Sequence, residues 1–419
     1  MTESTALPER IPLLEVAIAD AASGQLLKRS TYEFRYLDPR ADQPALALLM
    51  PAARQLTWQD GELFPVMDQI LPEGDLFMRL RALYPKQPLT PMHLLALIGM
   101  NGIGRIGYRL PATQAHHRMP PTAPPLSKQA LLRTAYSPQV FDELVRAYLS
   151  TGAGIAGMQP KIMVPERATI PVPSLIVKVA SDAYPDLSAN EYLCLDAARR
   201  AGIDTARAEL SDDGQMLIVD RFDLVDADGR VERLGFEDIA ALAGLRVRDV
   251  LSDRKYQGSY QRVAELLRQL QLPRGELHRF YEQLAFSVMV RNGDGHLKNF
   301  GLLYRSHADA RLAPMFDVVT TAIYRHARYP GGPVQADHTM ALKLFAGRHG
   351  SRSYPLRDEL LRFGSSVCEV SRPALVLERI ATAMRKTLDE AAGDDRISAR
   401  LLSELTPAWQ QGMRLAASS

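Results

Sequence analysis

The chain has 419 residues, 46% hydrophobic and 23% charged, with a formal net charge of +2. That length exceeds one typical core, so two or three lobes are expected. A balance so near neutral neither demands nor excludes nucleic acid, while no apolar run is long enough to cross a bilayer. Only two cysteines occur, Cys194 and Cys368, both in apolar surroundings. No Cys/His grouping has zinc spacing, so they read as buried thiols in a reducing compartment. The N-terminus lacks a basic start followed by an apolar core, so no signal peptide is expected. The composition describes a soluble, cytoplasmic, well-packed protein.

Taken in order, Leu13 to Ile18 is apolar, Ala22-Ser23-Gly24 predicts a turn, and Thr31 to Tyr36 predicts a strand. A short helix is expected between Asp60 and Leu71, ended by Pro72-Glu73-Gly74, with another over Leu76 to Leu83. Thr90 and Pro91 suit the cap and first position of a helix running to Met100. Gly102, Gly104 and Gly107 follow, without the strand-before and helix-after context of a phosphate loop. Tight packing or turns explain them better. Pro111 to Pro125, containing His116 and His117, reads as an extended connector.

Phe141 to Leu149 is helical and ends at Ser150-Thr151. Gly152 to Lys161 then places three glycines ahead of the strand-like Ile162-Met163-Val164. Such glycines let backbone N–H groups approach phosphate oxygens, although no Gly-Lys-Ser/Thr completes a Walker sequence. Leu175-Ile176-Val177-Lys178-Val179 is a β pattern holding one lysine. A lysine there either snorkels to solvent or meets an anion such as a nucleotide phosphate. Ser188-Ala189-Asn190-Glu191 has the form of a capping box. Glu191 is then either a cap or a carboxylate for Lys178. Gly214 to Val219 predicts a turn into a strand, closed by Asp220-Arg221-Phe222-Asp223. That strand end can offer backbone groups and an apolar ring to an adenine. Asp226-Ala227-Asp228-Gly229 predicts a hairpin turn.

Phe236 to Leu245 carries a helical pattern, and Arg254 to Tyr260 reads as an exposed basic and aromatic loop, by default solvated. Val263, Leu266, Leu267 and Leu270 form one helical face; Leu277, Phe280, Leu284 and Val288 form the next. The second helix delivers the chain to Arg291-Asn292-Gly293-Asp294-Gly295-His296-Leu297-Lys298-Asn299-Phe300. A polar turn capping a helix would account for its glycines. An Asp with an Asn five positions on is also the catalytic-loop arrangement of protein kinases. On that chemistry Asp294 accepts a hydroxyl proton, and Asn299 offers a neutral oxygen to Mg²⁺. Lys298 steadies the transferring phosphate, and His296 supports the loop. Phe316-Asp317 places a second carboxylate at the end of an apolar run, a hard oxygen suited to Mg²⁺. Ala322 to Pro333 is expected to be a loop. The basic residues Arg325, His326, Arg328, Lys343, Arg348, His349, Arg352 and Arg357 form either a solvated face or a contact for DNA phosphates. Two helices should follow, around Leu377 to Met384 and Leu401 to Leu405, with a frayed tail after Met413.

These segments resemble the HipA-type toxin kinases of bacterial toxin–antitoxin modules over almost the full length. The resemblance rests on Leu71-Pro72-Glu73-Gly74, Ile98-Gly99 through Gly107, Gly157-Met158-Gln159-Pro160-Lys161, Val219 to Asp223, Asn292 to Phe300, Pro314 to Asp317 and Met340 to Lys343. It implies an α+β, two-lobed, protein-kinase-like fold, with a mixed N-terminal lobe, an extra small β/α subdomain and a mainly helical C-terminal lobe. The implied domains are residues 1–110, a connector at 111–135, the kinase-like N-lobe at 136–225 and the helical lobe at 226–419.

The resemblance also implies serine/threonine protein kinase activity with ATP and Mg²⁺. Ala156, Gly157, Met158, Gln159, Pro160 and Lys161 then form the phosphate loop, and Lys178 contacts phosphate. Asp220, Arg221 and Phe222 line the adenine side. Asp294 is catalytic; His296, Lys298, Asn299 and Phe316 belong to the nucleotide site; Asn299 and Asp317 hold the metal. Similar proteins phosphorylate an aminoacyl-tRNA synthetase and pair with a small helix-turn-helix antitoxin, HipB-like, that binds operator DNA. They often carry a serine in the phosphate loop whose autophosphorylation switches them off. Here that position is Gly154 or Ala156, neither of which accepts phosphate. Two other classes stay open, a kinase for a small molecule or lipid and a non-catalytic co-repressor. Retention of Lys178, Asp294, Asn299 and Asp317 argues against the second.

Overall fold

The computed structural model describes residues 8–38, 43–85, 87–112, 127–151, 161–164, 173–181, 184–327, 334–336, 338–347 and 350–417. Strand β1 (Leu13–Ile18) turns directly into β2 (Ala21–Lys28). The turn is made by Ala19 and Asp20, both left-handed, with φ of 50° and 66°. Two such residues match the right-handed twist of a hairpin. The turn expected at Ala22-Ser23-Gly24 is therefore corrected, since that segment lies inside β2. Gly24 serves packing instead: a Cβ there would stand 2.5 Å from the Phe34 ring. With β3 (Tyr32–Tyr36), β4 (Thr57–Asp60) and the later β5 (Ile106–Arg109), these strands form a sheet of order β4-β3-β2-β1-β5. Its buried side chains include Leu14, Ile18, Leu26 and Phe34.

Between β4 and β5 lie α1 (Pro65–Asp68), α2 (Gly74–Leu83) and α3 (Pro91–Ile98). Thr90 occupies the cap position of α3, but its hydroxyl engages His93 Nδ1 at 2.6 Å. Of the glycines after α3, Gly102 and Gly104 lie in a structural turn, whereas Gly107 lies inside β5 and packs against Met100, in line with the expected turns or tight packing. Arg233 donates to the carbonyls of Met100, Gly102 and Gly104. Arg221 donates to those of Asn101 and Gly102.

Helices α4 (Lys128–Arg133) and α5 (Pro138–Thr151) precede β6 (Lys161–Val164) and β7 (Leu175–Val179). The last two pair antiparallel with Lys161 opposite Lys178. Helix α6 (Leu187–Arg200) starts two residues earlier than a Ser188 cap requires. The capping-box expectation is therefore corrected: Asp186, at φ 58°, is the cap residue. Ser188 lies inside the helix and donates its hydroxyl to the Gln215 carbonyl at 2.9 Å.

Next come β8 (Ala208–Leu210), β9 (Met216–Asp220), β10 (Leu224–Ala227) and β11 (Arg230–Arg233). Asp228 and Gly229, with φ of 52° and 80°, make the predicted hairpin turn. The helix expected over Phe236 to Leu245 is corrected. Its first residues form β12 (Gly235–Asp238), and only α7 (Ile239–Leu242) is helical. Asp238 ends the strand and caps the helix, accepting from the Ala241 N–H at 2.7 Å.

The remaining elements are α8 (Tyr260–Gln269), α9 (Arg274–Met289), β13 (Gly301–Tyr304), β14 (Arg311–Leu312), β15 (Arg325–Ala327) and β16 (Val334–Ala336), then α10 (Arg357–Arg362), α11 (Pro373–Ala391) and α12 (Ala399–Met413). The loop expected from Ala322 is in part a hairpin, since β15 and β16 pair antiparallel. The tail after Met413 continues as a 3₁₀ turn over Arg414–Ala416.

The chain divides into two compact units. The first comprises Met1–Lys178, Ile218–Ser252 and Leu302–Ala310, and holds the five-stranded sheet and the buried arginines Arg105, Arg221 and Arg233. The second comprises Val179–Leu217, Asp253–Gly301 and Arg311–Ser419. There α11 packs on α6, α9 and α12. Within it α12 approaches α9 so closely that a Cβ on Gly412 would lie 1.7 Å from the Met289 carbonyl oxygen. Cys194 and Cys368 are both buried free thiols.

Candidate active site

In the second unit, α9 is buried over almost its whole C-terminal half and stops at Met289. Arg291 then turns the chain with φ of 57°. Asn292 accepts the Asp294 N–H on its side-chain oxygen at 2.9 Å, closing a local turn. Gly293 donates its N–H to Thr321 Oγ1 at 2.6 Å. A Cβ on Gly293 would stand 2.6 Å from the Thr339 carbonyl, so the close approach requires glycine. Tyr260 donates its phenol to the Gly295 carbonyl at 2.8 Å. Backbone and neighbours thus fix the loop on both sides of Asp294.

A 3₁₀ turn over Leu297–Asn299 folds the loop back. The Asn299 amide donates to the Asp294 carbonyl at 2.9 Å and to the Asp317 carbonyl at 3.3 Å. Both acceptors are carbonyl oxygens, so the nitrogen must face them and the amide oxygen is the opposite corner. One side chain therefore ties together the two carboxylate-bearing residues singled out in the sequence. Asp317 holds a left-handed φ of 50°, unusual for a non-glycine residue and frequent where a side chain is aimed for function. Its neighbour Met315 is fixed through backbone bonds to Asp204 and Ala206.

The Asp294 side chain is 49% exposed, whereas His296 is 8% exposed, with its Nε2 3.9 Å from Asp294 Oδ1. Burial pushes the imidazole down to about 4, against the opposing pull of Asp294. His296 is therefore neutral near pH 7, orienting the loop without adding charge. Asp317, Lys255 and Lys298 also act electrostatically on His296, which places them in the same neighbourhood. The sequence missed one member of the group: Tyr256 donates its phenol to Asp294 Oδ1 at 2.7 Å. The loop expected to be solvated over Arg254 to Tyr260 is corrected accordingly. Lys255 and Tyr260 are buried, and Tyr256 packs edge-on against His296 with centroids 5.2 Å apart. Two aromatics beside a polar loop were the available signal.

In the first unit, Lys178 is 4% exposed, on a strand whose five residues are all buried. Asp220 is paired with Lys128 at 3.0 Å. Phe222 meets Phe236 edge-on at 5.7 Å. The Arg221 guanidinium donates to Asp223 and to the Asn101, Gly102 and Pro173 carbonyls. Its side chain is a structural hub, so only its backbone is available to a nucleotide. Glu191, on α6 in the second unit, is 1% exposed. Ala156, Gly157, Met158, Gln159 and Pro160 lie outside the described residues, as does Gly154; Lys161 is described as a backbone position in β6.

Among the described residues, no group of three or more His, Cys, Asp or Glu side chains forms a metal cage. The donor set of Asn299 and Asp317 instead suits Mg²⁺, which keeps waters and takes few protein oxygens. No helix among the described residues is long and apolar enough to cross a membrane.

Residues 153–392 match the HipA-like C-terminal domain, and residues 14–109 match the HipA N-terminal domain. The chain belongs to the HipA family. Its relatives include a kinase candidate of Sinorhizobium fredii, Y4dM, 27% identical over 62% of this chain and 63% of that protein. A second, Y4mE from the same organism, is 29% identical over 41% of this chain and 42% of that protein. The chain thus covers less than two thirds of the length of these relatives. A chain of the Shewanella oneidensis HipA, HipB and operator DNA complex matches with a TM-score of 0.69 and 17% identity, covering 96% of both chains. The HipA fold is thereby shown for this chain; its chemistry is read from the residues.

Proposed function

We propose that this HipA-family chain is an ATP-dependent serine/threonine protein kinase and the toxin of a toxin–antitoxin pair. The observation that carries this is the Asn299 amide bound to the carbonyls of both Asp294 and Asp317. Phosphoryl transfer needs positioning and charge neutralisation more than covalent chemistry. Asp294 accepts the proton of the acceptor hydroxyl as that oxygen bonds to the γ-phosphorus and ADP leaves. Asn299 and Asp317 hold Mg²⁺ through oxygen. Lys298 steadies the transferring group, and neutral His296 keeps the loop in register. Lys178 and the segment from Ala156 to Lys161 are assigned to phosphate binding, Asp220 to Phe222 to the adenine, and Phe316 to nucleotide binding. Mg²⁺·ATP supplies the phosphoryl group and neutralises its charge.

The partners proposed are a small helix-turn-helix antitoxin, operator DNA through that antitoxin, and a protein substrate. A translation component such as an aminoacyl-tRNA synthetase is the substrate class the family resemblance suggests. The setting proposed is the cytoplasm.

The test is ATP consumption and labelling of a cell extract. Asp294→Ala and Asp317→Ala should each abolish transfer while leaving circular dichroism and melting close to wild type. Unchanged turnover in both variants would remove the assignment. Label appearing only in small molecules or lipids would redirect the substrate class.

A further inference from the structure

The Asp294 carboxylate is half exposed, so packing alone does not select its rotamer. What holds it is the 2.7 Å bond from the Tyr256 phenol to Oδ1. Tyr256 is itself held from several directions. Its ring stands edge-on to His296, with an interplanar angle of 77°. The Lys255 ammonium lies 5.4 Å from its ring centroid. Its carbonyl accepts from Arg352 Nη2 at 2.5 Å. The backbone bends again two residues on, at Gly258, with φ of 101°. All these groups belong to the second unit.

We propose that Tyr256 is a positioning residue for phosphoryl transfer, its phenol fixing Asp294 through Oδ1 and leaving Oδ2 to meet the acceptor hydroxyl. This rests on Asp294 being the proton acceptor. A base held in one orientation before the acceptor arrives keeps the reacting atoms aligned, and loss of that alignment lowers turnover more than nucleotide binding. His296 cannot replace the phenol, since its nitrogen is 3.9 Å from the same oxygen, beyond a hydrogen bond.

The experiment compares wild type, Tyr256→Phe, Asp294→Ala and the double variant. It measures transfer of labelled γ-phosphoryl from Mg²⁺·ATP to dephosphorylated casein and to water, with melting curves as a folding control. Phenylalanine keeps the ring against His296 and removes only the hydroxyl. The expected result is a kcat lower by about tenfold or more, with KM for ATP within about twofold of wild type. On the Asp294→Ala background, where transfer is already abolished, the readout is the melting temperature: Tyr256→Phe should lower it only where Asp294 is present, because otherwise its partner is gone. An unchanged kcat in Tyr256→Phe would overturn the proposal. So would a raised kcat, which would make the phenol a blocker of the acceptor position. Equal losses of melting temperature on both backgrounds would show a structural role independent of Asp294. Full turnover in Asp294→Ala, or none in wild type, removes the base assignment and this proposal with it. That failure is recognised without reference to Tyr256.

Discussion

His296 shows at the residue scale how a side chain in a candidate site ties stability to pH. Its folded value of about 4 lies below its ordinary value of 6.5, because burial disfavours the imidazolium. As pH falls, the unfolded chain takes up this proton first. Stability is therefore full above about 6.5 and declines toward 4, by about 1.4 kcal/mol per pH unit. His296→Gln should lose this component. Urea midpoints at pH 7 and pH 5 should differ less in the variant than in wild type, by roughly 2 kcal/mol of unfolding free energy. Equal pH responses would show that the imidazole titrates alike in the folded and unfolded chain. Arg221 teaches a different lesson. A motif position can resemble a ligand-binding residue while its charge, fully buried, holds Asp223 and three carbonyls of its own unit. A buried guanidinium without such partners would carry a heavy desolvation penalty.

At the scale of elements, the packing of α12 on α9 has a single steric control point. Gly412 brings the helices together where a Cβ would overlap the Met289 carbonyl. Gly412→Ala must push α12 outward, and overpacking of this kind is destabilising by about 2 kcal/mol or more despite the better helix propensity of alanine. Melting of the variant should fall by several degrees, and a rise would show that the helices separate freely. Met289 is the last residue of the helix that delivers the chain to Asp294, so ATP turnover should fall with it. Two misread segments have related causes. Phe236 to Leu245 shows helical spacing, but Glu237 belongs to a strand, where it accepts from the Leu48 N–H and the Tyr304 phenol. These partners are distant in sequence and override local periodicity. Ser188 matched a capping pattern, but the nearby Asp186, left-handed and joined to Ser398 and Arg400, starts the helix instead.

For the whole molecule, the two units carry different parts of the proposed nucleotide chemistry. Lys178 and Asp220 belong to one; Asp294, Asn299 and Asp317 belong to the other. A ligand that binds only the folded protein raises its stability by mass action, about 2.7 kcal/mol at a hundredfold excess over Kd. Mg²⁺·ATP should therefore raise the melting temperature. EDTA should remove most of that shift, and Asp317→Ala should show little metal-dependent shift. A shift indifferent to both would deny Asp317 a metal role. Membership of the HipA family and the HipA fold stand independently of this result.

The sequence by itself determined the family, the strands at Tyr32–Tyr36, Leu175–Val179 and Met216–Asp220, the long helices of the second unit and the candidate loop around Asp294. These follow from periodicity, turn chemistry and closely spaced motifs, which are local and survive without coordinates. Tertiary structure decided that Tyr256 reaches Asp294, that Asn299 ties Asp294 to Asp317, and that Arg221 and Arg233 bind the glycine turn. Each depends on segments 18 to 131 residues apart in the chain except the Asn299–Asp294 bond, which spans five. A hydrogen bond needs direction and a distance near 3 Å, and sequence spacing specifies neither across separate elements.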